Sequence, residues 1–161
     1  MKKLLIAILA VLAVFAFAGC SDKDSTPADA PESAKIEQGY SIAYAFTASD
    51  DILTIGESTT VKNYLDALST DDKVNYEGYD GSYGYYITAV LGVQEAYIGS
   101  NAMYYWAVYT SFTEIDGTIY ATDYSTFDYN GIKLYSASYG ISGLPCIEGE
   151  TYALVYTYTS W

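Results

Sequence analysis

Residues 60–68 read Thr60-Val61-Lys62-Asn63-Tyr64-Leu65-Asp66-Ala67-Leu68, and they are the one stretch of the chain whose apolar residues recur at helical spacing. Val61, Tyr64, Leu65 and Leu68 fall at i, i+3, i+4 and i+7, which lines them along one face of a helix. Thr59 or Thr60 is available as the N-cap, since a threonine hydroxyl accepts a backbone N–H that the first turn leaves free. Everything around this segment alternates instead. Residues 40–46 (YSIAYAF), 85–91 (YYITAVL), 103–112 (MYYWAVYTSF), 133–141 (KLYSASYGI) and 151–159 (TYALVYTYT) are rich in Tyr, Val, Ile and Thr. Such side chains suit a pleated, half-buried surface, and Gly, Asn and Asp punctuate the gaps as turn residues do. One helix among several strands predicts an α+β domain in which the helix covers one face of a mostly antiparallel sheet. The other face is then expected to be partly exposed.

Working outward, the segment before the strands reads as address and tether. Residues 1–20, MKKLLIAILAVLAVFAFAGC, place two lysines before 16 uncharged residues, 4–19. At roughly 1.5 Å per residue a helix of that length falls short of a hydrocarbon core about 30 Å thick, so a cleaved export signal over 1–19 explains the run better than a spanning helix. Ala18 and Gly19 before Cys20 resemble the lipobox of bacterial lipoproteins, in which the cysteine is diacylated and becomes the first mature residue. Phe17 stands where leucine is usual, which leaves ordinary signal cleavage as the alternative. Lipidation of Cys20 would hold the protein at the outer face of the bacterial cytoplasmic membrane. Residues 20–39 then form a polar stretch with two prolines and almost nothing to bury, a disordered tether reaching about 25 Å. The globular domain is expected over 40–161, a length that buries a core without metals or disulfides.

Composition excludes whole classes of function. From Cys20 onward, five lysines face all 20 acidic residues, a formal charge of −15. That balance argues against nucleic acid and anionic lipid headgroups, which need a positive surface. The chain contains neither Arg nor His. The commonest general base and neutral metal ligand are therefore missing, as is a bidentate clamp for phosphate or carboxylate. An enzyme is not expected, and a paired-carboxylate glycosidase is the distant exception. Asp50-Asp51, Asp71-Asp72 and the trio Asp116, Asp123 and Asp128 match no calcium-loop pattern, so no metal site is assigned. The glycine-rich run at 78–84 lacks the lysine and following helix of a phosphate loop and reads as a hairpin turn. Cys146, between Pro145 and Ile147, reads as a buried inert thiol.

The order of several motifs resembles the DUF4430 family. Ser58-Thr59-Thr60-Val61 leading into Tyr64-Leu65-Asp66-Ala67-Leu68, then GYDGSYGYYITAV at 78–90, are similar to the start of such a domain. The aromatic strand MYYWAVY at 103–109, with YGISGLP at 139–145 and IEGETY at 147–152, is similar to its end. Family members follow the aromatic strand with an Asn-Gly turn, whereas here the chain continues to Asn130-Gly131, so residues 114–131 read as an elaborated loop or an extra hairpin. The resemblance extends to the C-terminal β-domain of the vitamin B12 carriers transcobalamin and intrinsic factor. It implies a β-grasp-like fold and a small ligand, with cobalamin as the first expectation and no resident cofactor. In those carriers a helical domain supplies the other wall of the site, and this chain has none.

Tyrosine supplies the candidate site. Of 161 residues, 20 are Tyr, and a row of exposed rings offers large contact area at low entropic cost, with a hydroxyl for orientation. If Trp106 faces the core, strand parity sends Tyr105 and Tyr109 outward; the same test exposes Tyr135 beside Lys133, and Tyr86 opposite Ile87. Tyr124 and Tyr129 belong to the expected loop, where function concentrates. The expected ligand-binding set is Tyr86, Tyr105, Tyr109, Tyr124, Tyr129 and Tyr135, with Cys20 for lipidation. The expected task is to bind a small ligand and pass it to a membrane transporter. The alternative is an adhesion module whose tyrosines meet a surface protein or glycan.

Overall fold

In the computed structural model, residues 42–161 are described; the signal sequence, Cys20 and the tether lie outside them. The order is β1 (Ala43–Thr47), α1 (Val61–Thr70), β2 (Tyr76–Gly81), β3 (Gly84–Val90), β4 (Val93–Gln94), β5 (Ala96–Tyr97), β6 (Ala102–Thr110), β7 (Glu114–Ile115), β8 (Thr118–Ile119), β9 (Ala121–Tyr129), β10 (Ile132–Ala137) and β11 (Thr151–Ser160). The fold is mostly antiparallel β-sheet with a single short helix. The main sheet runs β1-β11-β6-β10-β9, with β5 also on β6; β2-β3-β4 form a second sheet and β7-β8 a small hairpin.

The helix begins where its capping chemistry dictates. The Thr60 hydroxyl accepts the Asn63 N–H while the Asn63 side chain accepts the Thr60 N–H, a reciprocal capping box. Two further N–H groups of the first turn, those of Val61 and Lys62, donate to the carbonyls of Leu144 and Ile141. The helix start is thereby tied to the segment that follows β10. Val61, Tyr64, Leu65 and Leu68 are buried, packing with Tyr44, Trp106, Tyr152 and Leu154 from the sheet and Ile87 and Val90 from β3. This is the predicted apolar face, and it covers one side of the main sheet.

The second side is also covered, contrary to expectation. Residues 114–131 resolve into the β7–β8 hairpin and β9, which turns through Asn130 and Gly131 into β10. Pairing between β9 and β10 steps from Thr126 opposite Tyr135 to Thr122 opposite Ser136, so residues 123–125 bulge out of the ladder. Such a bulge bends the hairpin. The Cα atoms of β10 and β11 approach within 8 Å although β6 lies between them, less than the roughly 9.5 Å of two strand spacings in a flat sheet. Phe127 and Leu134 consequently join a second buried cluster with Tyr109, Val155 and four alanines, Ala43, Ala45, Ala107 and Ala153. The small residues make room for the hairpin's large ones. Tyr109 is therefore core, 5% exposed, and not part of an outward row.

Candidate functional site

β6 is paired with β11 along its whole length. On its other edge β5 pairs only with Met103 and Tyr104, and β10 only with Tyr109 and Thr110. Residues 105–108 thus present a strand edge to which no strand is paired. A cleft of about 410 Å³ opens there. Its lining includes all four consecutive residues of that stretch; since successive side chains point to opposite faces, the cleft meets the strand at its edge and not on one face. The tip of the β2–β3 hairpin forms one wall, and the end of β10 with the turn after it, residues 136–140, forms the other.

Glycine closes one end of this cleft. The Gly140 N–H donates to the Tyr83 carbonyl at 2.7 Å, and the Tyr85 N–H donates to Ser142 Oγ at 2.8 Å. A Cβ on Gly140 would stand 2.7 Å from the Tyr85 carbonyl oxygen and 2.9 Å from the Gly84 carbonyl carbon. Only a residue without a side chain lets the two backbones approach so closely. The hairpin tip is thereby docked on a segment that is itself tied to the start of α1.

Six of the chain's 20 tyrosines line the cleft: Tyr79, Tyr83, Tyr85, Tyr86, Tyr105 and Tyr139. The Tyr86 hydroxyl donates to Glu95 Oε2 at 2.9 Å, and burial, then this carboxylate bond, holds its acidity well above the ordinary phenol value. Tyr86 therefore stays neutral with its ring fixed, and Tyr79 packs against it at 5.4 Å between centroids. Tyr105 is half-buried, and burial followed by the nearby Tyr109 and Tyr124 raises its pKa. Trp106 is buried, its indole N–H donating to the Val93 carbonyl. No Asp, Glu or Lys side chain is part of the lining.

Of the six tyrosines expected at the site, only Tyr86 and Tyr105 line the cleft; Tyr109 and Tyr124 lie near Tyr105, and Tyr129 packs with it against the second cluster, all outside the lining. Tyr109 donates to or accepts from Ser125 Oγ inside the second core. Tyr124 sits on the bulge, 94% exposed, and on strand β9, not in a loop. Tyr129 is half-buried against the second cluster. Tyr135 is half-buried with the Lys133 ammonium 5.3 Å above its ring. The sequence reading missed Tyr79, Tyr83, Tyr85 and Tyr139. Their signal was the interleaving of Tyr with Gly at 78–86 and 139–140, which supplies rings on a backbone able to approach its neighbours closely.

Elsewhere, the predicted inert thiol is buried: Cys146 is 2% exposed and burial pushes its pKa up to about 12. The aspartates have local duties. Asp50 accepts the Ile55 N–H, Asp71 caps α1, and Asp116 turns β7 into β8 with positive φ. Among the described residues no helix is long and apolar enough to cross a membrane. No protein-family model matches the chain, and no curated protein or solved structure shows significant similarity to it.

Proposed function

We propose that this chain is an extracytoplasmic lipoprotein, anchored through Cys20, whose domain binds a small uncharged organic ligand in the cleft between β3, β6 and the end of β10. The observation that carries the reading is the lining: six tyrosines around an open strand edge, with no charged side chain. A concave site of a few hundred Å³ with apolar walls and a few oriented polar groups is the usual form of a small-molecule site. Binding without chemistry fits a chain that has neither Arg nor His. The lipobox-like segment supports the anchored location, and a tether of about 20 residues would leave the domain free to offer its ligand to a transporter.

The motif order that resembles DUF4430, with its β-grasp-like expectation, makes a corrinoid the first ligand to test. Cobalamin is larger than the ligands such a volume encloses. The cleft would hold one edge of it, and a second protein would close the site, as a helical domain does in the vitamin B12 carriers. Calorimetric titration with cyanocobalamin tests this. Saturable binding weakened by Tyr83→Ala, a 79% exposed residue whose loss leaves the core intact, is the expected result. Absence of binding at millimolar ligand removes the corrinoid.

A second reading rests on a different surface. Tyr97, Tyr158 and Trp161 are 68%, 47% and 66% exposed at the same end of the main sheet, where Tyr158 lies edge-on to Tyr104 and Trp161 bonds Asn101. An aromatic patch of this kind suits adhesion to a protein or glycan surface. Substitutions there that abolish attachment to cell-wall material, with the cleft unaltered, would support it.

A further inference from the structure

We infer that the ligand of the cleft is a neutral saccharide unit, one or two rings seated against the open edge of β6 and flanked by tyrosine faces; this rests on the cleft being the binding site. Three observations converge on that chemistry. The first is charge. With no ammonium or carboxylate in the lining, a charged ligand would lose hydration without gaining a counter-charge in contact with it, and the chain's net charge of −13 further repels an anion.

The second is the strand edge. In an antiparallel strand alternate residues direct N–H and C=O to one side; Trp106 and Val108 face away from β11, and since the Tyr109–Ser136 pairing gives the Val108 carbonyl to β10, the Trp106 N–H and C=O and the Val108 N–H have no strand partner. A wholly apolar ligand would cover those groups and leave them unpaired, which is unfavourable. A hydroxyl both donates and accepts, and can serve either. Ser136 and Ser138 on the facing wall add two more hydroxyls. The third is the aromatic content. Tyr79 and Tyr83, 58% and 79% exposed, offer flat apolar surface at the hairpin side of a site otherwise rich in hydrogen-bonding groups. A ligand must then carry an apolar face and a hydroxylated rim at once, as a pyranose ring does.

An extended peptide also carries paired donors and acceptors, but the space refuses it. The open edge is four residues long, residues 105–108, shorter than the roughly five to six residues of a usual strand. The unpaired stretch is also stopped at both ends, by β5 and β10.

Two-dimensional ¹H–¹⁵N NMR of the full chain tests the inference, with N,N′-diacetylchitobiose and maltose as probes for an amino-sugar glycan end and a nutrient sugar, and cyanocobalamin in parallel. The expected result is saturable shifts at the amides of residues 105–108 and 136–138 with at least one of the two sugars. Tyr79→Ala and Tyr83→Ala should each weaken that binding about three- to tenfold while the remaining spectrum stays in place. If cyanocobalamin shifts those amides and neither sugar does, the saccharide inference fails and the cleft stands as a ligand site. If none of the three does so at high millimolar concentration, both fall. Sugar-induced shifts confined to Tyr97, Tyr158 and Trp161 would also overturn it.

Discussion

Replacing Gly140 by alanine tests whether the hairpin tip and the turn after β10 are held together as tightly as the cleft requires. The added Cβ would lie 2.7 Å from the Tyr85 carbonyl oxygen, 2.9 Å from the Gly84 carbonyl carbon and 3.0 Å from the Tyr85 nitrogen. All three are backbone atoms, so no side chain can rotate away. Restoring a separation of about 3.5 Å to the nearest would push the two segments apart by about 0.8 Å. That movement strains the Gly140 N–H bond to the Tyr83 carbonyl and the Tyr85 N–H bond to Ser142 Oγ. Overpacking costs about 1–3 kcal/mol, and weakening either bond adds up to about 1 kcal/mol. A loss of about 2–4 kcal/mol is therefore expected. Gly143→Ala, three residues on, is the control. Its Cβ would meet Tyr139 Cβ at 3.5 Å, an ordinary contact, so reduced freedom of the unfolded chain should leave it neutral or stabilised by up to about 1 kcal/mol. Urea unfolding of the two variants, analysed with a common slope, measures the difference. Equal stability of the two would show that the hairpin is not clamped there and would refute the account of how the cleft is closed.

Three further outcomes are expected. Tyr44 and Cys146 are buried neutral, both with pKa about 12 against ordinary values of 10.0 and 9.0; each is raised in the fold, so its stabilisation is complete below about pH 9 and is lost as pH rises towards 12, amounting to ~4 kcal/mol at pH 11, and an unfolding midpoint in urea that does not fall between pH 9 and 11 would contradict this. Leu134→Ala removes the hairpin's fully buried contact with the alanine-rich face and should cost about 2–5 kcal/mol; a loss below 1 kcal/mol in thermal or urea unfolding would mean that β9–β10 does not seal that face. Thr110 carries a buried hydroxyl without a hydrogen-bond partner, so Thr110→Val should stabilise by about 1 kcal/mol, and destabilisation in the same assay would contradict it.

The helix was legible in the sequence because both of its determinants are local: an apolar spacing of 3.6 and a threonine whose hydroxyl reaches three residues on. β1, β3, β6, β10 and β11 were legible for the same reason, whereas β9 was expected only as part of an elaborated loop or an extra hairpin. What escaped was non-local. Alternation along β6 separates Trp106 from Tyr105 and Tyr109, but it cannot say that both resulting faces are buried. That depends on a bulge at 123–125 bending the hairpin over Ala43, Ala45, Ala107 and Ala153, and each of those alanines looks unremarkable within its own strand. Tyr109 was misplaced on that account. The cleft was illegible for a related reason. Its floor exists because two neighbouring strands stop short of residues 105–108 on one edge of β6, and an absent pairing leaves no mark on the sequence of the strand that lacks it.

Coverage of the second face also bears on the two functional readings. A module that adheres through its sheet needs a flat tyrosine-bearing face open to solvent, and the face expected to supply it holds Tyr109, Phe127 and Leu134 in a closed core. Apart from Tyr124 on the β9 bulge, exposed aromatics near the main sheet gather at its far end, around Tyr97, Tyr158 and Trp161, and at the walls of the cleft, at Tyr79, Tyr83 and Tyr139. The first group lies outside the cleft lining. The second borders a concavity that also contains unpaired backbone groups. Aromatic area alone permits either site, but backbone donors and acceptors held without a partner strand favour the site where a ligand can satisfy them. By that criterion the cleft is the stronger candidate, and substitutions at Tyr83 and Trp161, both removable without disturbing the core, separate the two readings in a single binding experiment.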